Sequence, residues 1–217
     1  MANKGKYYES QFEEATIELL REAHWQYTLG DDIHRKYTDP LIEEDLRNFL
    51  AVQYKDKNLT TSEMDGIVAN LRNTGGQNDY YALRNAFLLY RDGYDFAYSD
   101  SRDNPFRMEY IDFEHPDHNI FRCVNQFVMG QGRENRRPDI LLFINGIPVC
   151  IIELKNPTKQ NATIRDAHTQ IGTRYMRDIP ALLKYCALAV ISDGAKNALG
   201  TTYTPFEFFY EWKKIEN

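Results

Sequence analysis

Charged residues stand at both ends of an otherwise apolar stretch, residues 136–157. Two apolar runs within it meet at Asn145-Gly146, a pair that supplies the positive φ angles of a tight hairpin. Asp139 begins the first predicted strand, and Glu153 and Lys155 end the second. An antiparallel pair folds these ends back beside each other, at the rim of a buried sheet where isolated charges are costly. The natural partner of two such carboxylates and an ammonium is a divalent cation.

The spacing of these three residues has little specificity by itself. The pattern is an Asp followed, ten to twenty residues later, by Asp or Glu, then any residue, then Lys. It arises by chance about once in a chain of this length. The context of strand, Asn-Gly turn and strand, with charges confined to one end, makes the pattern stronger. The alternative is a buried hairpin capped by a solvated salt bridge.

The register of the hairpin decides whether the three charges can meet. A two-residue turn would pair Asp139 with Ile152. Because side chains alternate between the faces of a strand, Glu153 and Lys155 would then point away from Asp139. We therefore predict one inserted residue, in the form of a β-bulge, a three-residue loop or a sharp bend at Pro138.

The motifs around these residues resemble a known family. Arg-Pro-Asp139, the Asn-Gly turn, Glu153-Leu154-Lys155-Asn-Pro and residues 191–194 (ISDG) are similar to the PD-(D/E)xK nucleases. The resemblance is to the N-terminal nuclease domain of type I restriction enzyme R (restriction) subunits, from about residue 8 to the C-terminus. It implies an α/β, restriction-endonuclease-like core of order αβββαβ, a mixed sheet flanked by helices, with an added helical subdomain.

The resemblance also implies Mg²⁺-dependent hydrolysis of double-stranded DNA, with Mn²⁺ as a possible substitute. Asp139 and Glu153 would hold the metal, and Lys155 would orient or deprotonate the attacking water. In the family the first helix brings a Glu to the metal. We choose Glu13, because it lies on the apolar arc of the predicted helix 8–23, whereas Glu14 points away and Glu9 lies near the end of the arc. An edge carboxylate in a salt bridge is the alternative for Glu13.

The family carries a Gln-x-x-x-Tyr pair on the helix that follows Glu-x-Lys. Here Gln170 and Tyr175 have four residues between them, and a regular helix would not align them. Either Gly172 marks a bulge in the helix or Tyr175 does not share the role of Gln170. Basic side chains that could hold the DNA backbone, without reading bases, are Arg136, Arg137, Lys159, Arg165 and Arg174.

Composition places the candidate site in the basic part of an acidic protein. The chain has 217 residues and a net charge of −6, yet residues 133–184 carry nine Lys or Arg against five Asp or Glu, a balance of +4. A polyanion could be drawn to this region, although ordinary surface variation would give the same balance. Neither a signal peptide nor a membrane span is indicated. Three widely spaced cysteines are predicted to be reduced and buried, as in a cytoplasmic protein.

The remaining chain is predicted as one domain in three parts, with helix 8–23 in the core, residues 39–91 as a helical insertion and residues 93–217 as the sheet-containing nuclease core. The insertion is predicted to contain three helices. The first spans 39–54 and is capped by Asp39, the second begins at Thr60 with a Thr60–Glu63 capping box, and the third spans 79–90. Strands are expected at 93–98, 106–112, 119–129 and 186–191, with a helix at 163–178 and a C-terminal aromatic run packed on the core or on a neighbouring domain. Residues 114–118 (EHPDH) are interpreted as a loop without zinc, because no Cys or further His stands nearby.

The resemblance implies a larger parent protein. R subunits continue into an ATP-driven motor and assemble with modification and specificity subunits. The chain has no nucleotide-binding motif, so ATP is expected to bind only in the parent. Two alternatives remain open: a non-catalytic docking or DNA-binding module of the same fold, and another nuclease of the superfamily.

Overall fold

The computed structural model describes residues 3–100, 103–130, 135–155 and 163–212, with only the backbone for residues 3–9. Its strands are β1 Gln26–Leu29, β2 Tyr94–Phe96, β3 Phe106–Met108, β4 Phe121–Asn125, β5 Ile140–Ile144, β6 Ile147–Leu154, β7 Leu188–Ser192, β8 Asn197–Gly200 and β9 Tyr210–Glu211. Its longer helices are α1 Asn3–Glu22, α2 Glu43–Gln53, α3 Thr61–Asn73 and α4 Asp79–Asp92. After β6 come α5 Ile164–Thr169, a π-helical segment Gln170–Tyr175, α6 Met176–Asp178 and α7 Pro180–Leu183.

Seven strands form one mixed sheet, in the order β1-β4-β5-β6-β7-β8-β9. The β1–β4 and β6–β7 pairs are parallel, and the other neighbours are antiparallel. Helices cover both faces of this sheet. The structure is therefore a mixed α/β fold, as the sequence predicts.

The two faces of β6 divide the helices between them. Ile152 and Leu154 lie in a cluster with Ile17 of α1, whereas Ile151 packs with Ile171 on the opposite face. Because side chains alternate along a strand, Glu153 points to the face that Ile171 covers. The register thus places this carboxylate beneath the π-helical segment.

The hairpin contains the inserted residue that the sequence requires. Asn145 and Gly146 take positive φ angles of 50° and 75°, and a Cβ on Gly146 would collide with the carbonyl of Ile42. Phe143 pairs with Pro148, but Leu142 pairs with Cys150, so the register shifts by one. The predicted β-bulge is confirmed, with Val149 as the extra residue of β6.

The helices α2, α3 and α4 pack with the β2–β3 ribbon in a second core. The ribbon is a separate sheet, but Ile147 of β6 also lies in this core. The Thr60–Glu63 capping box of α3 is confirmed. Asp39 as the cap of α2 is wrong, since α2 begins at Glu43. The amide of Ile42 instead donates to the carbonyl of Gly146 in the hairpin turn, at 2.9 Å, and this contact delays the start of the helix. That residues 39–91 are an insertion stays a prediction.

Several predicted details differ from the structure. The strand β1 was not predicted, because its parallel partner β4 lies far along the chain. Leu19, expected on the buried arc of α1, is 66% exposed. The aromatic C-terminal run is divided, since Phe209 packs against the main core while Phe208 and Trp212 are exposed.

All three cysteines are free and buried, as predicted. Within the described residues, no helix combines the length and the apolar character needed to cross a membrane.

Candidate active site

The bulge at Val149 brings the two predicted carboxylates together. Ile140 pairs with Ile152, so Asp139, one residue earlier, lies opposite Glu153 on the same face of the sheet. Asp139 Oδ2 accepts a hydrogen bond from the Leu154 amide at 2.7 Å. Within the described chain its Oδ1 has no such partner. Glu153 is buried, with 1% of its surface exposed.

Burial and neighbouring carboxylates both shift the pKa of Asp139 upward. Burial, and then the neighbouring Glu153, raises the pKa of Asp139 to about 8, and Glu13 adds to the rise. The Leu154 amide and Lys155 oppose this shift without cancelling it.

Lys155 joins Glu153 to the helical layer above the sheet. Its Nζ donates to Glu153 Oε1 at 2.8 Å and to Gln170 Oε1 at 2.9 Å. The lysine side chain is only 12% exposed. A buried ammonium is therefore held between a carboxylate and an amide oxygen, with its position set from two elements.

The π-helical segment solves the spacing problem between Gln170 and Tyr175. In this segment residues five apart lie over each other, and Gln170 Nε2 donates to the Tyr175 hydroxyl at 2.7 Å. The Tyr175 hydroxyl in turn lies 3.1 Å from Glu153 Oε2. Burial and the charge of Glu153 raise the pKa of Tyr175, so the hydroxyl stays a donor. The bulge suggested by Gly172 is confirmed, and both residues reach the site.

Glu13 reaches the edge of the same site from α1. Its Oε1 accepts hydrogen bonds from the amide groups of Asn125 and Gln126, each at 3.0 Å. The Gln126 backbone amide donates to the Asp139 carbonyl at 3.2 Å, which ties this corner to the start of β5. Glu14 is exposed, whereas nothing is described of the Glu9 side chain.

Asn125 and Gln126 were missed by the sequence reasoning, which treated residues 119–129 as a continuous strand. The signal was a polar Asn-Gln pair at the end of an apolar run. Gln126 takes a positive φ of 56°, so the chain leaves β4 there and turns its amide toward Glu13. These two side chains hold Glu13 in place.

The predicted basic residues do not form one group. Arg136 is committed to Asp178, with Nε 2.6 Å from Oδ2. The guanidinium of Arg165 lies 4.2 Å from the centre of the Phe206 ring. Arg137 is exposed and donates to Gln126 Oε1 at 3.2 Å, beside Glu13. Arg174 is exposed on the π-helical segment, and Lys159 lies outside the described residues.

The donor set suits a hard divalent cation. Asp139 and Glu153 lie side by side, and the charge of Glu13 acts on Asp139 from α1. Among the described residues, the ligand atoms of these three carboxylates do not all lie within 4.8 Å of one another. Burial is the main cause of the raised pKa of Asp139, and the charges of Glu153 and Glu13 add to it. Carboxylate oxygens are the ligands that Mg²⁺ prefers.

Comparison with known proteins places the whole chain in one group. The family described as "Type I restriction enzyme R protein N terminus" matches residues 6–208. The chain is 29% identical, over 96% of its length, to the type I restriction enzyme HindI endonuclease subunit of Haemophilus influenzae. It is 30% identical, over 94% of its length, to the putative type I restriction enzyme MjaIXP endonuclease subunit of Methanocaldococcus jannaschii. The matched part is 20% of the length of each relative.

Proposed function

Because the chain belongs to the type I restriction enzyme R protein N-terminus family, we propose that it is the metal-dependent DNA endonuclease domain of such a subunit. The observation that supports this proposal most is the convergence of Asp139, Glu153, Lys155, Gln170 and Tyr175. Two separate irregularities, a bulge and a π-helical segment, are needed to assemble the group. A purely structural salt bridge between Glu153 and Lys155 would need neither.

We further propose that the core is restriction-endonuclease-like. Helix α1, strands β4, β5 and β6, the helical segment from α5 and strand β7 follow the order αβββαβ. In this assignment the pair Asp139 and Glu153 lies at the rim of the central hairpin. The α2–α4 section with the β2–β3 ribbon is the added subdomain.

In the proposed mechanism, Asp139, Glu153 and Glu13 would hold Mg²⁺ (or Mn²⁺), which would supply Lewis-acid chemistry toward the scissile phosphate and water. Lys155 orients or deprotonates the attacking water and offsets charge that develops on the phosphate. A compact ammonium suits this role because its pKa responds to burial.

Gln170 and Tyr175 act as positioning residues. Gln170 accepts from Lys155 and donates to Tyr175, so one amide fixes both groups. Tyr175 donates to the Glu153 carboxylate, and this bond holds the carboxylate while Lys155 approaches its other oxygen. The network therefore restricts both Glu153 and Lys155 to one geometry before DNA arrives.

The proposed function extends to a larger assembly. The substrate is double-stranded DNA in a restriction complex with modification and specificity subunits, and ATP acts at a motor elsewhere in the parent. Reduced, buried cysteines suit the cytoplasm.

The direct test of the proposal is Glu153→Gln. We expect this variant to bind Mn²⁺ at least tenfold more weakly by calorimetry. We also expect it to nick supercoiled plasmid at least about 100-fold more slowly in Mg²⁺. Glu207→Gln, at an exposed position, is the matched control. Unchanged restriction by the complete assembly carrying Glu153→Gln would favour the docking-module alternative.

The neighbouring residues Arg136 and Arg137 are expected to differ in their contact with the DNA backbone. We expect Arg137→Ala to weaken DNA binding equally for all sequences and to reduce the slope of log K against log salt by about one. Arg136→Ala instead removes one of the two arginine partners of Asp178, so it lowers the melting temperature. Filter binding across a salt series measures the first effect, with Arg84→Ala on the exposed side of α4 as control. Equal salt slopes for Arg137→Ala and Arg84→Ala would contradict the assignment.

A further inference from the structure

A second cluster of possible metal ligands lies in the loop between β3 and β4. Asp112, His115 and His118 bring one carboxylate and two imidazoles together, with ligand atoms all within 4.8 Å of one another. The sequence reasoning counted only Cys and His and so overlooked Asp112. The carboxylate is buried, whereas both imidazoles are largely exposed.

The two imidazoles converge on one oxygen. Nδ1 of His118 lies 3.0 Å from Asp112 Oδ2, and Nδ1 of His115 lies 3.5 Å from the same atom. The Gln53 amide also donates to Oδ2, at 3.0 Å. A carboxylate oxygen has two in-plane lone pairs, so three nitrogens exceed what it can accept well.

These separations fit a tetrahedral cation. Zn²⁺ bonds of about 2.0–2.1 Å to nitrogen and oxygen place neighbouring ligand atoms roughly 3.3 Å apart. The observed 3.0 and 3.5 Å lie on either side of that value. Both Nδ1 atoms lie beside the same carboxylate oxygen, and the imidazole rings stack at 4.9 Å between centroids with 18° between their planes.

The carboxylate is oriented as a metal ligand requires. Asp112 Oδ1 accepts from the backbone amides of Glu114 and His115 at 3.0 and 2.8 Å, which leaves Oδ2 directed at the rings. The Gln53 amide donates to the same Oδ2, which gives the carboxylate a supporting partner of the kind found around known metal sites.

We propose that Asp112, His115 and His118 form a binding site for Zn²⁺ or a similar borderline transition-metal ion, with solvent in the remaining position. Imidazole nitrogens favour such ions over Mg²⁺. Its role is structural: the ion connects the loop to α2 through Gln53. The site is separate from the one at Asp139.

The position of the loop supports this separation. Asn119 closes the loop on the Asp112 backbone, and its Oδ1 accepts from Asn145 Nδ2 at 2.8 Å. The loop is therefore attached to the turn of the β5–β6 hairpin. Asp139 lies at the other end of β5, six residues before Asn145, which is a distance of roughly 20 Å at ~3.4 Å per residue.

Zn²⁺ titration of the 217-residue chain in excess Mg²⁺ tests the proposal, because Mg²⁺ occupies oxygen-only sites without competing for imidazole. We expect one equivalent of Zn²⁺ to bind and to raise the melting temperature. His115→Ala and His118→Ala each weaken binding at least about 100-fold, and Gln53→Ala weakens it about 10–100-fold. His34→Ala, at another exposed histidine, leaves affinity unchanged.

Equal Zn²⁺ affinity in the wild type and in the His115→Ala/His118→Ala double variant would overturn the proposal, as would no saturable binding by the wild type. Both histidines are exposed, so circular dichroism is expected to show a folded double variant. The Glu153→Gln variant keeps its Zn²⁺ equivalent. Failure of the proposed nuclease site and failure of this site are thus distinguishable.

Discussion

Asp139→Asn is expected to abolish DNA cleavage and, at the same time, to stabilise the metal-free protein. The substitution removes a proposed metal ligand, which lowers the cleavage rate at least about 100-fold. It also removes an ionisable group whose pKa burial and Glu153 raise to about 8. The amide oxygen can still accept from the Leu154 amide, as Oδ2 does in the native side chain.

The sign of the pH dependence follows from the raised pKa of Asp139. An unfolded Asp has a pKa of about 3.9, so the folded state binds its proton more tightly. The stabilisation is complete below pH ~4 and is lost as the pH rises toward 8. Above pH ~4 the unfolded Asp139 ionises more readily than the folded one, so the wild type is the less stable protein at pH 8.

Thermal melts in EDTA measure this effect. At pH 8 we expect Asp139→Asn to melt roughly 4–12 °C above the wild type, for a gain of about 2–3 kcal/mol. The difference narrows as the pH falls and is absent near pH 4. Mn²⁺ is expected to raise the melting temperature of the wild type but not that of Asp139→Asn. The control Asp31→Asn, at an exposed position, is expected to behave like the wild type. A variant that is less stable than the wild type at pH 8 would show that Asp139 is not under this strain.

Lys155→Met is expected to produce the opposite combination, with loss of cleavage and loss of stability. Lys155 is a cationic partner of Glu153, whose side chain is 1% exposed. Removing one member of a buried ion pair costs about 3–5 kcal/mol, because the other charge stays buried with less compensation. Gln170 Oε1 loses the same donor. Urea denaturation in EDTA measures the loss.

A double variant shows whether Glu153 is the cause. In the Lys155→Met/Glu153→Gln protein the buried carboxylate charge that Lys155 balances is removed as well, so we expect most of the lost stability to return while cleavage stays absent. Lys196→Met, at an exposed lysine, controls for the substitution itself. Additive effects of the two single variants would mean that Lys155 and Glu153 are not coupled in the folded state.

The central hairpin was predictable because its signals are local. Asn145-Gly146 sets the turn by its φ preferences, and the apolar runs on either side set the strands. The alternation of side chains along the two strands also requires one extra residue if Asp139 and Glu153 are to share a face. That the extra residue is Val149, rather than a longer loop or a bend at Pro138, depends on packing across the sheet.

Other features could not be predicted because they depend on distant partners. The strand β1 forms only against β4, and Asn125 and Gln126 matter only because α1 brings Glu13 to them. Arg136 looked available for DNA until the fold placed Asp178 beside it.

Residue types and short-range patterning alone determined that this chain carries a hairpin with Asp139, Glu153 and Lys155 at its open end, and a helix whose Gln170 and Tyr175 are out of phase. The tertiary structure decided that these five side chains meet. A one-residue insertion moves side chains to the other face of a strand, and a π-helical turn changes which residues align. Both irregularities are stabilised by packing between elements, which no local stretch of sequence contains.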